Sequence, residues 1–144
     1  MSPRPKRYRK VERPPVIKGF RPFGSRQCFG LEVSLHFEEF ESLKLADYDQ
    51  CTHAQAAEKM GVSRPTFTRI YEEARRKIAL AFVEGRPLHI RGGQAEFSEE
   101  WYHCRACQND FTPVHDALWK AADCPICGSS EPERLTSDHL HDIR

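Results

Sequence analysis

The chain has 144 residues, 30% of them charged, and a net charge of only +1. No apolar run approaches the ~20 residues of a membrane-spanning helix, so no such helix is expected, and one ordinary domain, or two small ones, is. The near-neutral total hides a division, because residues 1–27 hold nine cations against Glu12 alone, whereas residues 94–144 hold ten acids against four cations. The two ends of the chain therefore suit different partners.

Residues 1–33 read as a basic, proline-rich arm. Pro3, Pro5, Pro14, Pro15 and Pro22 fix φ and remove donors, which disfavours regular pairing and predicts an extended cationic segment. Its functional reading is phosphate contact by Arg4, Lys6, Arg7, Arg9 and Lys10. Its plainer reading is a solvated tail.

Residues 34–93 change to a helical pattern of three segments. In the first, residues 37–48, Phe37, Phe40 and Leu43 share an apolar side, while Glu38, Glu39 and Glu41 form an acidic side expected to face solvent or a protein partner. The second opens with Thr52 and Gln55 at capping-box spacing and closes at Gly61, with Ala57 small enough for close helix approach. Ser63 then caps the third, residues 64–82, with Pro65 in its first turn. Phe67, Tyr71, Ala74 and Ile78 fall on one stripe of that segment and are expected in the core.

Two helices joined by a short turn, the second with a polar outer face, predict a helix-turn-helix that enters the DNA major groove. Thr68 and Arg69 are the leading base readers, Arg69 suited to guanine and Thr68 to a thymine methyl or a polar edge. Arg64 and Thr66 start the same helix, Glu72 suits the cytosine amino group, and Arg75, Arg76 and Lys77 suit backbone phosphates. The plainer reading of those last three is a solvated helix surface favoured by the macrodipole.

Residues 35–47 (Leu-His-Phe-Glu-Glu-Phe-Glu-Ser-Leu-Lys-Leu-Ala-Asp), 55–67 (Gln-Ala-Ala-Glu-Lys-Met-Gly-Val-Ser-Arg-Pro-Thr-Phe) and 74–79 (Ala-Arg-Arg-Lys-Ile-Ala) closely resemble an uncharacterised prokaryotic family of small, predicted DNA-binding proteins. Residues 20–24 (Phe-Arg-Pro-Phe-Gly) and 88–93 (Leu-His-Ile-Arg-Gly-Gly) look like the same family, so the resemblance covers residues 1–93. It implies a helix-turn-helix similar to the promoter-reading region four of sigma-70-type factors, in a cytoplasmic protein whose DNA target is not defined. The cysteine-bearing end departs from that pattern.

Residues 94–100 read as a polar linker. In residues 101–131, Cys104 and Cys107 are followed after sixteen residues by Cys124 and Cys127, a spacing at which four thiolates enclose one tetrahedral ion. A closed four-sulfur site leaves no position for substrate, so structural Zn²⁺ in a small β-rich zinc ribbon is expected, with iron the less favoured metal. His103 and His115 are second choices as ligands. Two disulfides are disfavoured, since no signal peptide opens the chain and Cys28 and Cys51 would be left over. With zinc bound, the acidic end carries a formal charge of about −8 and should avoid phosphate, which points to a protein contact such as a homodimer or a transcription-machinery partner, or to autoinhibition by packing back on the basic arm. Residues 132–144 read as a flexible tail.

The expected architecture is thus mainly α, a three-helix helix-turn-helix domain plus a zinc ribbon. The expected function is sequence-specific binding of double-stranded DNA by a transcriptional regulator, with no membrane association. The alternative is a redox- or metal-responsive sensor, or a small electron carrier with iron in the four-cysteine site. No enzyme is expected, because no nucleophile-base pair, phosphate-cradling glycine loop or open metal site can be assembled from the motifs.

Overall fold

The computed structural model describes residues 8–12, 15, 17–24, 31–97, 101–111 and 123–135. The chain divides into two compact units, Met1–Val11 with Lys18–Glu96, and Glu12–Ile17 with Phe97–Arg144. In chain order the first holds β1 (Arg9–Val11), β2 (Gly19–Phe20), β3 (Val33–Leu35), α1 (Phe37–Leu43), a π-helical turn (Lys44–Tyr48), α2 (His53–Met60), α3 (Arg64–Glu84), β4 (Leu88–Ile90) and β5 (Ala95–Phe97), whose last residue opens the second unit.

Local signals determine α2 and α3. The Thr52 hydroxyl accepts from Gln55 N at 3.2 Å while the Gln55 side chain accepts from Thr52 N at 3.0 Å, so the expected capping box is formed. Gly61, at φ 67°, ends α2 in the left-handed region. Ser63 caps α3 by accepting from Thr66 N at 3.3 Å, with Pro65 in the first turn. Ala56, Ala57 and Met60 of α2 bury against Phe67 of α3 and Leu45 of the π-helical turn, with Val62 and Tyr71 packed around them. A side chain larger than Ala57 would push the two helices apart.

The acidic side of α1 departs from expectation. Glu38, Glu39 and Glu41 are 6%, 4% and 2% exposed, so this face points inward, not to solvent. Buried carboxylates need partners. Lys77 Nζ of α3 lies 2.6 Å from Glu39 Oε1, and His36 Nδ1 lies 3.0 Å from the same oxygen. Glu38 accepts from Gln94 N at 3.0 Å, and its carboxylate leaves no room for a Cβ at Gly93. Ile78 also departs, at 37% exposed, whereas Ala74 of the same stripe is buried, as is Ala81.

Eight short strands in three sheets stand beside the helices among the described residues, so the chain is not clearly mainly α. Arg9–Val11, expected within an extended arm, pairs with Ala95–Phe97, expected within a linker. Val11 is fully buried there. β2 runs antiparallel and β3 parallel to β4, with Val33 opposite Leu88 and Leu35 opposite Ile90, all four buried. These strands have two or three residues each, too few for alternation to reveal them without their partners.

The second unit contains β6 (Trp101–Cys104), β7 (Asp110–Phe111) and β8 (Pro132–Leu135), an antiparallel sheet ordered β7-β6-β8. β8 takes up residues expected in the tail. Trp101, Cys104, Phe111 and Cys124 are buried, and Tyr102 stacks on Phe111 at 5.8 Å. No helix among the described residues is long and apolar enough to cross a membrane.

Candidate metal centre and nucleic-acid interface

The two cysteine knuckles repeat one backbone arrangement. Gln108 N donates to Cys104 O and Gly128 N to Cys124 O, each at 2.8 Å, while Cys104 N donates to Asn109 O at 2.9 Å and Cys124 N to Ser129 O at 2.7 Å. The exit residue of each knuckle has positive φ, Gln108 at 60° and Gly128 at 76°. Only the second has the residue type that adopts this conformation without strain. Gln108→Gly is therefore expected to stabilise the second unit by about 0.5–1 kcal/mol, offset in part by loss of the Gln108 side-chain hydrogen bond to Arg105 O. A lower denaturation midpoint of that unit would contradict it.

Cys104, Cys107, Cys124 and Cys127 form a group that can hold a metal ion, their sulfurs all lying within 4.8 Å of one another. Cys104 Sγ is 3.6 Å from Cys127 Sγ, and Cys107 Sγ is 3.8 Å from Cys124 Sγ. A tetrahedron with metal-sulfur bonds of ~2.3 Å has edges of ~3.8 Å, so these spacings suit an ion.

Hydrogen bonding and burial act on the sulfurs in opposite directions. The Ser129 hydroxyl, 3.1 Å from Cys104 Sγ, and then the backbone N–H groups of Cys107 and Ala106 pull the Cys104 thiol down to about 6. Ser129 also lowers Cys127, whereas burial pushes Cys124 up to about 11. A cation between the four would favour the thiolate at every one. His103 is not among the grouped ligands; its Nδ1 lies 2.6 Å from Asp110 Oδ1. His115 lies outside the described residues. Ser129 carried no signal in the sequence, since a serine two residues after a cysteine is ordinary until the knuckle folds it back.

In the first unit, Arg9, Thr66, Arg69, Glu38, Glu39, Ile70 and Glu73 line one surface cavity of about 290 Å³. β1 and α3 thus bring together two cations far apart in sequence. Strand pairing fixes Arg9, whose backbone N donates to Gln94 O at 2.8 Å and whose guanidinium donates to the Gln94 side chain. The next residue, Lys10, runs its aliphatic stem beside Gly61, where a Cβ would meet it at 3.7 Å. Arg64 and Arg69 are exposed on the N-terminal half of α3, as is Glu72.

Other expected contacts are engaged within the fold. Thr68 Oγ1 lies 3.0 Å from His53 Nδ1 of α2, so this side chain links the helices instead of standing on the outer face. Lys77 is held by Glu39, and Arg76 pairs with Glu73 at the surface. The Arg75 guanidinium lies 5.4 Å from the centre of the Tyr71 ring, whose hydroxyl donates to Asp47 Oδ1 at 2.6 Å. Arg4, Lys6 and Arg7 lie outside the described residues.

Residues 1–98 match the family model described as "Protein of unknown function DUF134". A UPF0251 protein of Chloroherpeton thalassium is 40% identical over 133 residues, covering 92% of this chain and 87% of that one. A UPF0251 protein of Methanothermobacter thermautotrophicus is 40% identical over 138 residues, with 96% and 70% covered. A third, from Halothermothrix orenii, is 38% identical, with 90% and 98% covered. Alignments of this extent run well into the cysteine-bearing end, so the likeness to relatives does not stop at residue 93. No solved structure matches the chain.

Proposed function

The chain belongs to the DUF134 family, and on that footing we propose that it is a cytoplasmic transcriptional regulator that binds double-stranded DNA sequence-specifically and carries one structural Zn²⁺ ion. The observation that carries this reading is the cationic end of α3. Arg9 from β1 shares a cavity with Thr66 and Arg69 from α3, and Lys10 flanks the turn between α2 and α3. A helix that follows a short turn and exposes cations at its N-terminal end has the form of a major-groove reader. Arg69 is assigned to a guanine, Glu72 to a cytosine amino group, and Arg9, Lys10, Arg64 and Arg75 to phosphates. Thr68 and Lys77, engaged with His53 and Glu39, orient the helix in this reading instead of touching DNA. Of the three acids of the shared cavity, Lys77 pairs with Glu39 and Arg76 with Glu73, while Glu38 accepts from Gln94 N.

The four cysteines hold the zinc ion, and its closed sulfur shell serves folding; the reading includes no catalytic step. The acidic zinc ribbon repels phosphate and is assigned to a protein contact, either a homodimer or a transcription-machinery partner. Metal analysis of the purified protein should find one zinc per chain in a colourless solution. Visible absorbance from bound iron would replace zinc with an electron-carrying centre.

Selection from random duplex DNA with the full chain tests the DNA reading, which requires that one motif be enriched. Failure to enrich any motif, with or without chelator, would overturn it. Arg69→Ala should cost about 1–3 kcal/mol on the selected site and relax preference at one base pair. An equal loss on all sequences would make Arg69 a phosphate contact.

A further inference from the structure

Resting on the reading of the four cysteines as a zinc site, we propose that the site is also a peroxide-reactive thiol pair, in which Cys127 is oxidised first and Cys104 closes a disulfide onto it. Accessibility separates the four sulfurs. Cys104 and Cys124 are buried and Cys107 is intermediate, whereas Cys127 is exposed, so a small oxidant arriving from solvent meets Cys127. Cys104 Sγ lies 3.6 Å away from it, on the other knuckle. A disulfide needs ~2.05 Å, so the two sulfurs must approach by roughly 1.5 Å, a small movement once oxidised Cys127 is no longer a thiolate ligand of the ion.

The chemistry balances with one molecule of hydrogen peroxide. The Cys127 thiolate attacks a peroxide oxygen, forming an S–O bond as the O–O bond breaks and hydroxide leaves. The Cys104 thiolate then attacks the sulfur of the resulting sulfenic acid, forming the S–S bond as the S–O bond breaks and a second hydroxide leaves. The sulfur pair loses two electrons and the peroxide gains them. Cys107 and Cys124 alone do not complete a zinc coordination sphere, so the ion departs.

Ser129 restrains this reaction. Its hydroxyl lies 3.1 Å from Cys104 Sγ, to which it can donate, and accepts from Cys127 Sγ at 3.2 Å, at the edge where the disulfide would form. An O–H···S hydrogen bond draws charge from a thiolate and lowers its nucleophilicity. The first knuckle has Asn109 at the corresponding position, its carbonyl accepting from Cys104 N as that of Ser129 accepts from Cys124 N.

The test uses the reduced, zinc-loaded full chain, titrated with hydrogen peroxide. Released zinc is followed with a chromogenic chelator, and disulfides are mapped by mass spectrometry after alkylation. One zinc should be released per Cys104–Cys127 disulfide, and a thiol reductant with added zinc should restore the starting state. Ser129→Ala should release zinc several-fold faster while giving the same disulfide. A disulfide within either knuckle, Cys104 to Cys107 or Cys124 to Cys127, would overturn the proposal, as would zinc retention in excess peroxide. An unchanged or slower rate for Ser129→Ala would remove the restraining role. Absence of zinc from the reduced protein before any oxidant is added would instead sink the metal reading on which the proposal rests.

Discussion

Chelation of the metal-loaded protein should unfold the β7-β6-β8 sheet while leaving α1, α2 and α3 folded. The second unit has a small apolar interior, with Trp101 and Phe111 the large side chains buried among its described residues. An interior of that size supplies only a few kcal/mol, whereas the apparent binding energy of a structural zinc ion is on the order of 10 kcal/mol. Hydrogen exchange of the Tyr102 and His103 amides should become fast in excess chelator, with far-ultraviolet helical dichroism nearly unchanged. Cys124→Ser should give the same pattern without chelator. Continued protection of β6 in the metal-free protein would show that the sheet stands without its ion, and the structural role would be lost.

The second large effect is expected at the buried acids of α1. Lys77→Met keeps the aliphatic stem but leaves the Glu39 carboxylate, whose side chain is 5% exposed, with His36 in place of two partners. Removing one partner of a buried pair costs about 3–5 kcal/mol, and the lower end applies because Lys77 is one-fifth exposed. Adding Glu39→Gln should recover much of the loss, and the double-mutant cycle in urea measures the coupling. Simple additivity of the two losses would refute the pair.

The same cluster should shape the pH dependence of the first unit. The hydrogen bond to Glu39 raises His36 above its usual 6.5, against the lowering effect of burial and of Lys77. Its contribution is complete below pH 6.5 and is lost as pH rises through the raised value. Burial pushes Glu39 up, but hydrogen bonds from His36 and Lys77 outweigh it and leave the carboxyl below its usual 4.5. That contribution is complete above pH 4.5 and is lost as pH falls through the lowered value. The first unit should therefore be most stable between about pH 4.5 and 6.5. For Lys77→Met the penalty should shrink on the acid side, as Glu39 takes up a proton.

What could be read in the sequence was local. The capping box of Thr52 and Gln55, the Gly61 exit and the Ser63 cap each act over three or four residues, and all three appear in the structure. The cysteine spacing was legible for the same reason, since each knuckle brings two sulfurs together within four residues. The strands were not, because β1 finds its partner only when residue 95 is in place. Nor was the direction of the α1 glutamates. Charge alone points them outward, and they turn inward only because Lys77, His36 and the Gln94 amide come from elsewhere in the chain. The contacts of Thr68 with His53 and of Lys77 with Glu39 were not legible either, since each partner lies on another helix.

The pairing of β1 with β5 also has a consequence for synthesis on the ribosome. Arg9 and Gln94 are 85 positions apart. At a translation rate of about 5–20 residues per second, β1 waits roughly 4–17 seconds after it is made before its partner exists. Throughout that interval its backbone donors and Val11, fully buried in the finished fold, stay open to solvent and to other chains. Arg9 and Lys10, neighbours in this strand, put like charge on the open edge, and charge of that kind opposes edge-to-edge pairing of strands.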